Sequence, residues 1–173
     1  MNIKTLLLAA AMISPLHAEE APAPKKAEAL QATELIKKMS PHLIDAEGKP
    51  VSTDLAKGDY LLVYWSASWC GPCRKFTPQL VEYYNENGGG KDFEIVLIGL
   101  DKTEKKMMSY IANEQMPWPA VSFDEKYETG AKSFAKGGIP RLMIIDKKGE
   151  VIDRGNAYSM LRKFKTLREE DSK

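Results

Sequence analysis

The chain holds two cysteines, Cys70 and Cys73, with Gly71-Pro72 between them and Trp69 before them. A pair at this spacing can carry out thiol–disulfide exchange, supply half of a metal site, or pack as two small apolar side chains. Exchange requires a thiolate, and a free cysteine with a pKa of about 8.5 is mostly protonated at neutral pH. A strand that ends just before Cys70 and a helix that starts just after it would bring the sulfur to unpaired amides and the positive end of the helix dipole. Gly71 permits that close approach, and Pro72 loses nothing in a first helical turn where its amide would be unpaired anyway. Cys73, one turn on, then reaches the sulfur of Cys70. The implied chemistry has two steps: Cys70 attacks a substrate disulfide to give a mixed disulfide, and Cys73 resolves it, leaving the pair oxidised. An external electron donor must then reset the pair.

The metal alternative is short of ligands. Zinc normally takes four, and beyond the two cysteines the chain has only His17 and His42. Cu(I) suits thiolates, yet no third ligand is evident. A Cu(I) or zinc carrier and an inert buried pair stay open beside exchange. Two cysteines in 173 residues cannot form a disulfide framework, and no cofactor is expected.

The elements that must position the pair read as α/β. Tyr60 to Trp65 is a continuous apolar run of strand length, as expected of a strand buried on both faces. Phe76, Leu80, Tyr83 and Tyr84 follow at helical spacing until Asn85 to Gly90 ends the element, and Pro78 predicts a kink within it. Phe93 to Leu100 reads as a second buried strand, so strand–helix–strand predicts parallel pairing with a right-handed crossover. Thr103 to Gln115 reads as a helix stopped by Met116-Pro117-Trp118-Pro119, and a shorter helix is expected to carry Tyr127, Ala131 and Phe134. Arg141 to Asp146 and Glu150 to Asp153, joined by Lys147-Lys148-Gly149, read as a hairpin. Leu161, Phe164 and Leu167 suggest a closing helix. Upstream, Leu43-Ile44 and Val51 flank a Gly-containing turn, and Ala27 to Met39 reads as a helix leaning on the domain.

At the amino terminus, Lys4 precedes an apolar run from Leu6 to Ile13 and a cleavage-like Pro15-Leu16-His17-Ala18. The run is shorter than the roughly 20 residues of a membrane-spanning helix. Residues 1–18 are therefore expected to be a secretory signal, and the protein exported: periplasmic in a Gram-negative host, otherwise secreted. Residues 19–40 read as a proline-rich tether, from Glu19 to about Lys26, followed by the possible helix. Residues 41–173 form the expected globular domain. With 25 basic against 24 acidic residues, charge gives no reason to propose nucleic acid or an anionic membrane as partner.

Trp69-Cys70-Gly71-Pro72-Cys73, Pro78 and Ile139-Pro140 before a strand resemble the thioredoxin superfamily over about residues 43–153. Ser66-Ala67-Ser68-Trp69-Cys70, Phe76-Thr77-Pro78, Met116-Pro117-Trp118 and Ile139-Pro140 look most like its tryparedoxin and nucleoredoxin branch, whereas the Gly-Pro pair is that of thioredoxin itself. The resemblance implies a thioredoxin fold, a central mixed sheet flanked by helices. It also implies Cys70 and Cys73 as the catalytic redox pair and a cis Pro140 facing them. Trp69, Gly71, Pro72, Ile139, Pro140 and Arg141 would then support or bind substrate. Three departures stand out: Tyr64 replaces thioredoxin's buried aspartate, Leu97 its buried lysine, and Arg141 the common threonine. The usual proton acceptor for the second cysteine is thus missing, leaving water or another group to serve. Arg141 could select acidic partners or stabilise a thiolate, but a solvated arginine on an edge strand is the blander reading. Trp69 reads as surface and Trp118 as core.

Gly71-Pro72 resembles reducing members, so the expected activity is reduction of disulfides in protein substrates, with a membrane thiol reductase as electron donor. Disulfide oxidase or isomerase is the alternative enzyme reading, and a monomer is the expected state.

Overall fold

The computed structural model describes residues 24–171; the expected signal and most of the proline-rich tether lie outside them. Helix α1 (Pro24–Met39) leads through a 3-10 turn into β1 (Leu43–Ile44). The order continues β2 (Tyr60–Ser66), α2 (Gly71–Glu86), β3 (Phe93–Gly99), α3 (Glu104–Asn113), β4 (Ala120–Val121), α4 (Glu125–Glu128), β5 (Arg141–Asp146), β6 (Val151–Asn156) and α5 (Ala157–Asp171). The six strands form one mixed sheet in the order β1-β4-β3-β2-β5-β6. Strands β2 and β3 are parallel, and β5 runs antiparallel to both β2 and β6. This is the thioredoxin fold expected from the sequence.

The central strands explain themselves by composition. Leu61 to Ser66 and all of β3 are buried, so side chains alternate between two apolar layers rather than between core and water. On one face Leu62, Tyr64, Ile95, Leu97, Leu142 and Ile144 meet Phe76 and Leu80 of α2, Tyr110 of α3 and Phe164 of α5. On the other, Leu61, Val63, Trp65, Met143 and Ile145 meet Ala32, Leu35 and Met39 of α1. Strand β6 alternates half-buried and exposed residues, as an edge strand covered on one face should.

Several expectations shift at the boundaries. Helix α1 begins at Pro24, inside the stretch read as tether; proline suits a first helical turn. Helix α2 continues past Pro78 to Glu86. The single helix expected around residues 127–134 is two pieces, α4 and a 3-10 turn at Ala131–Ala135, divided by Gly130 at φ +73°. The short β4 gave no period to read.

Candidate functional site

Strand β2 ends at Ser66, and the chain crosses Ala67 to Cys70 before α2 begins at Gly71. Cys70 occupies the N-cap of α2 with extended backbone (φ −87°, ψ 106°), and its sulfur accepts from the Cys73 N–H at 3.2 Å. That is where helix amides stabilise a charge that develops on sulfur. Cys70 and Cys73 are joined as a disulfide with Cα atoms 5.2 Å apart. Cys70 is 6% exposed and Cys73 fully buried, so only the first sulfur is open to attack a partner once the pair is reduced.

The sulfurs pack with Ala67, Leu100 and Ile139. The Ile139–Pro140 bond is cis, and the Ile139 carbonyl oxygen lies 3.7 Å from Cys70 Sγ. Gly137 and Gly138 just upstream have φ of +97° and +92°, values that a side chain with a β-carbon resists. Trp69 is 59% exposed beside the pair, while its indole N–H donates to the Leu100 carbonyl at 3.3 Å. Trp118 is core, packed edge-on to Tyr64 and Tyr84. The structure thus brings Trp69, Cys70, Gly71, Pro72, Cys73, Ile139 and Pro140 to one end of the sheet.

Arg141 needs a correction. It is not on an edge strand: β5 lies between β2 and β6, and Arg141 pairs with Trp65 on one side and Asn156 on the other. Its register places it on the α1 face of the sheet, and its Nε is buried with no hydrogen-bond partner among the described residues.

Behind the cysteines, Tyr64 joins a buried chain of hydroxyls. Thr77 Oγ1 lies 2.8 Å from Tyr64 Oη and 2.6 Å from Tyr110 Oη, and Tyr110 Oη is 2.9 Å from Ser66 Oγ. Thr77 also donates to the Cys73 carbonyl at 2.9 Å. A threonine hydroxyl has one proton, so with that proton on the Cys73 carbonyl both tyrosines donate to Thr77, and Ser66 donates to Tyr110. Burial pushes the ionisation of both Tyr64 and Tyr110 upward. The chain of hydroxyls satisfies its own members and contains no group that is a base at neutral pH.

A second support was not singled out in the sequence. Asp101, 2% exposed, accepts from the Ser68 backbone N–H at 3.2 Å and from its hydroxyl at 2.6 Å, fixing the loop that carries Trp69. Lys126, fully buried, donates to the Asp101 carbonyl at 3.0 Å and sits 3.6 Å over the Phe123 ring. Burial pushes the Lys126 ammonium toward neutrality, and the Asp101 charge opposes it. The available signal was position: Asp101 follows an apolar strand at its carboxyl end, where open α/β sheets gather functional groups.

The sequence profile of a family described as "Thioredoxin-like" matches residues 58–151. Probable nucleoredoxin 1 of Arabidopsis thaliana is 37% identical over 124 residues, 70% of this chain and 21% of that protein. Tryparedoxin of Trypanosoma brucei brucei is 38% identical over 107 residues, 61% of this chain and 72% of that protein. The chain thus spans less than a third of the first nucleoredoxins it matches, at 21% and 29% of their lengths. The crystal structure of tryparedoxin I from Crithidia fasciculata superposes with a TM-score of 0.62 at 35% identity, covering 75% of this chain and 91% of that one. A sheet of this order, a cysteine pair capping the helix after its central strand, and these likenesses agree: the chain belongs to the thioredoxin-like family of thiol–disulfide oxidoreductases.

Proposed function

We propose that the protein is an exported protein-disulfide reductase. The observation that carries the exchange chemistry is the placement of Cys70: it caps α2, accepts from the Cys73 N–H, and is the more exposed sulfur of the pair. In the reducing direction, the Cys70 thiolate attacks one sulfur of a substrate disulfide and expels the other as a thiolate, which takes up a proton. The Cys73 sulfur then displaces the substrate from Cys70 and gives up its own proton. The substrate gains two electrons, and the Cys70–Cys73 disulfide forms. A thiol reductase, which for an exported protein would be membrane-borne, returns the electrons. With no base among the hydroxyls behind Cys73, water is the acceptor this reading assigns to its proton.

The reducing direction is supported by Gly71-Pro72, which resembles reducing members, and export by the Lys4 to Ala18 pattern. The test is the equilibrium potential of the pair in glutathione and dithiothreitol buffers. A value near the roughly −270 mV of thioredoxin is expected; one near about −120 mV would make disulfide formation the function instead.

A further inference from the structure

We propose that Tyr158 is a positioning residue for the nucleophile: through the peptide group between Pro72 and Cys73, its hydroxyl strengthens the hydrogen bond that holds the Cys70 thiolate. The two ends of that one peptide group make both contacts. Its N–H belongs to Cys73 and donates to Cys70 Sγ at 3.2 Å. Its carbonyl belongs to Pro72 and accepts from the Tyr158 hydroxyl at 3.3 Å. The peptide is planar, so a donor that fixes the carbonyl also fixes the direction of the N–H. Hydrogen bonds linked through one peptide polarise each other as well: donation to the oxygen makes the N–H the better donor, and a thiolate on the N–H makes the oxygen the better acceptor. A contact of 3.3 Å is long for a hydroxyl donor, which leaves it room to shorten when Cys70 carries charge.

The hydroxyl is placed by contacts that do not depend on it. Tyr158 stands half-buried in the first turn of α5. The Ala157 N–H donates to the Pro140 carbonyl at 3.1 Å, and the Tyr158 N–H donates to Asn156 Oδ1 at 3.1 Å. The same turn therefore holds the cis-proline segment and, through the tyrosine, the helix that carries the cysteines. The Tyr158 ring meets Phe76 edge-on, with ring centroids 4.8 Å apart, and Phe76 is fully buried in α2. That packing sets where the hydroxyl lies, so a phenylalanine at this position keeps the packing and loses only the donor. A carbonyl oxygen has two lone pairs, so the Tyr158 bond adds to the helical bond of the Pro72 carbonyl rather than replacing it.

The inference rests on attack by Cys70 as a thiolate, a step that reduction and oxidation of substrates share. Its first test is the ultraviolet absorbance of the thiolate in the reduced protein across pH, which needs no substrate and so fails independently of the reductase reading. A donor to the charged form lowers a thiol's pKa. Tyr158→Phe is therefore expected to raise that of Cys70 by about half a unit, with the melting temperature within a few degrees of wild type. Tyr60→Phe, which loses a tyrosine hydroxyl bond at the opposite end of β2, should leave the Cys70 value unchanged. The second test is the rate at which the reduced protein attacks hydroxyethyl disulfide, followed by tryptophan fluorescence. Below both pKa values Tyr158→Phe should be about twofold slower, because its thiolate is scarcer though somewhat more nucleophilic; above them it should be faster by slightly under about twofold. An unchanged Cys70 pKa, or a rate lowered by the same factor at every pH, overturns the proposal and leaves Tyr158 as packing against α2.

Discussion

Cys70 and Cys73 differ by burial and by what their sulfurs touch, and that difference divides the labour between attack and resolution. The tyrosine standing where thioredoxin has an acid is the more informative residue. Tyr64 is wholly enclosed, and its hydroxyl is held by Thr77, which also holds the Cys73 carbonyl. If this group only fills space and satisfies neighbours, Tyr64→Phe should lower stability by about 1 kcal/mol, as for one lost buried hydrogen bond. The rate at which Cys73 resolves a mixed disulfide should stay within about twofold of wild type, a factor worth only about 0.4 kcal/mol. Urea unfolding and stopped-flow release of a trapped peptide measure the two quantities. A collapse of the resolution rate would instead make the hydroxyl chain the route for the Cys73 proton.

At the scale of elements, the strand-to-helix junction was legible because it needs little more than local information: an apolar run, Gly71-Pro72, and helical spacing of Phe76, Leu80 and Tyr83. The loop that presents Trp69 was not. Its anchor, Asp101, is 33 residues from Ser68 in sequence, and Lys126 lies a further 25 on. No periodicity signals contacts of that kind. Asp101→Ala removes the acceptor of the Ser68 N–H and hydroxyl, so a loss of about 1–3 kcal/mol is expected. The Ser68 amide should also exchange with solvent faster while amides of β3 keep their protection, which hydrogen-exchange measurements on the two segments would show. The short β4 and the break at Gly130 escaped for a related reason: two residues carry no pattern, and a left-handed glycine ends a helix whatever its apolar spacing promises.

In the whole molecule, two apolar layers lie on either side of β2 and β5, and α1 closes one of them. Ala32, Leu35 and Met39 are buried against Trp65, Met143 and Ile145. A chain beginning at Pro41 should therefore melt at a temperature lower by on the order of 10 °C, given roughly 1.5–3 kcal/mol for each large buried aliphatic side chain withdrawn. Calorimetry of the two lengths checks this; an unchanged melting temperature would mean that α1 contributes no net packing. The sequence by itself determined the α/β class, the likeness to tryparedoxins and a cysteine pair at a strand-to-helix junction suited to exchange. Those rest on residue type and short-range spacing, which survive without knowledge of contacts. Tertiary structure alone decided which face Arg141 joins, that its strand is interior, and that Tyr64 ends in a closed hydroxyl chain rather than at a base. Each of these depends on strand order and on pairs of residues brought together across the sheet, and the order β1-β4-β3-β2-β5-β6 is not written in any local stretch of the chain.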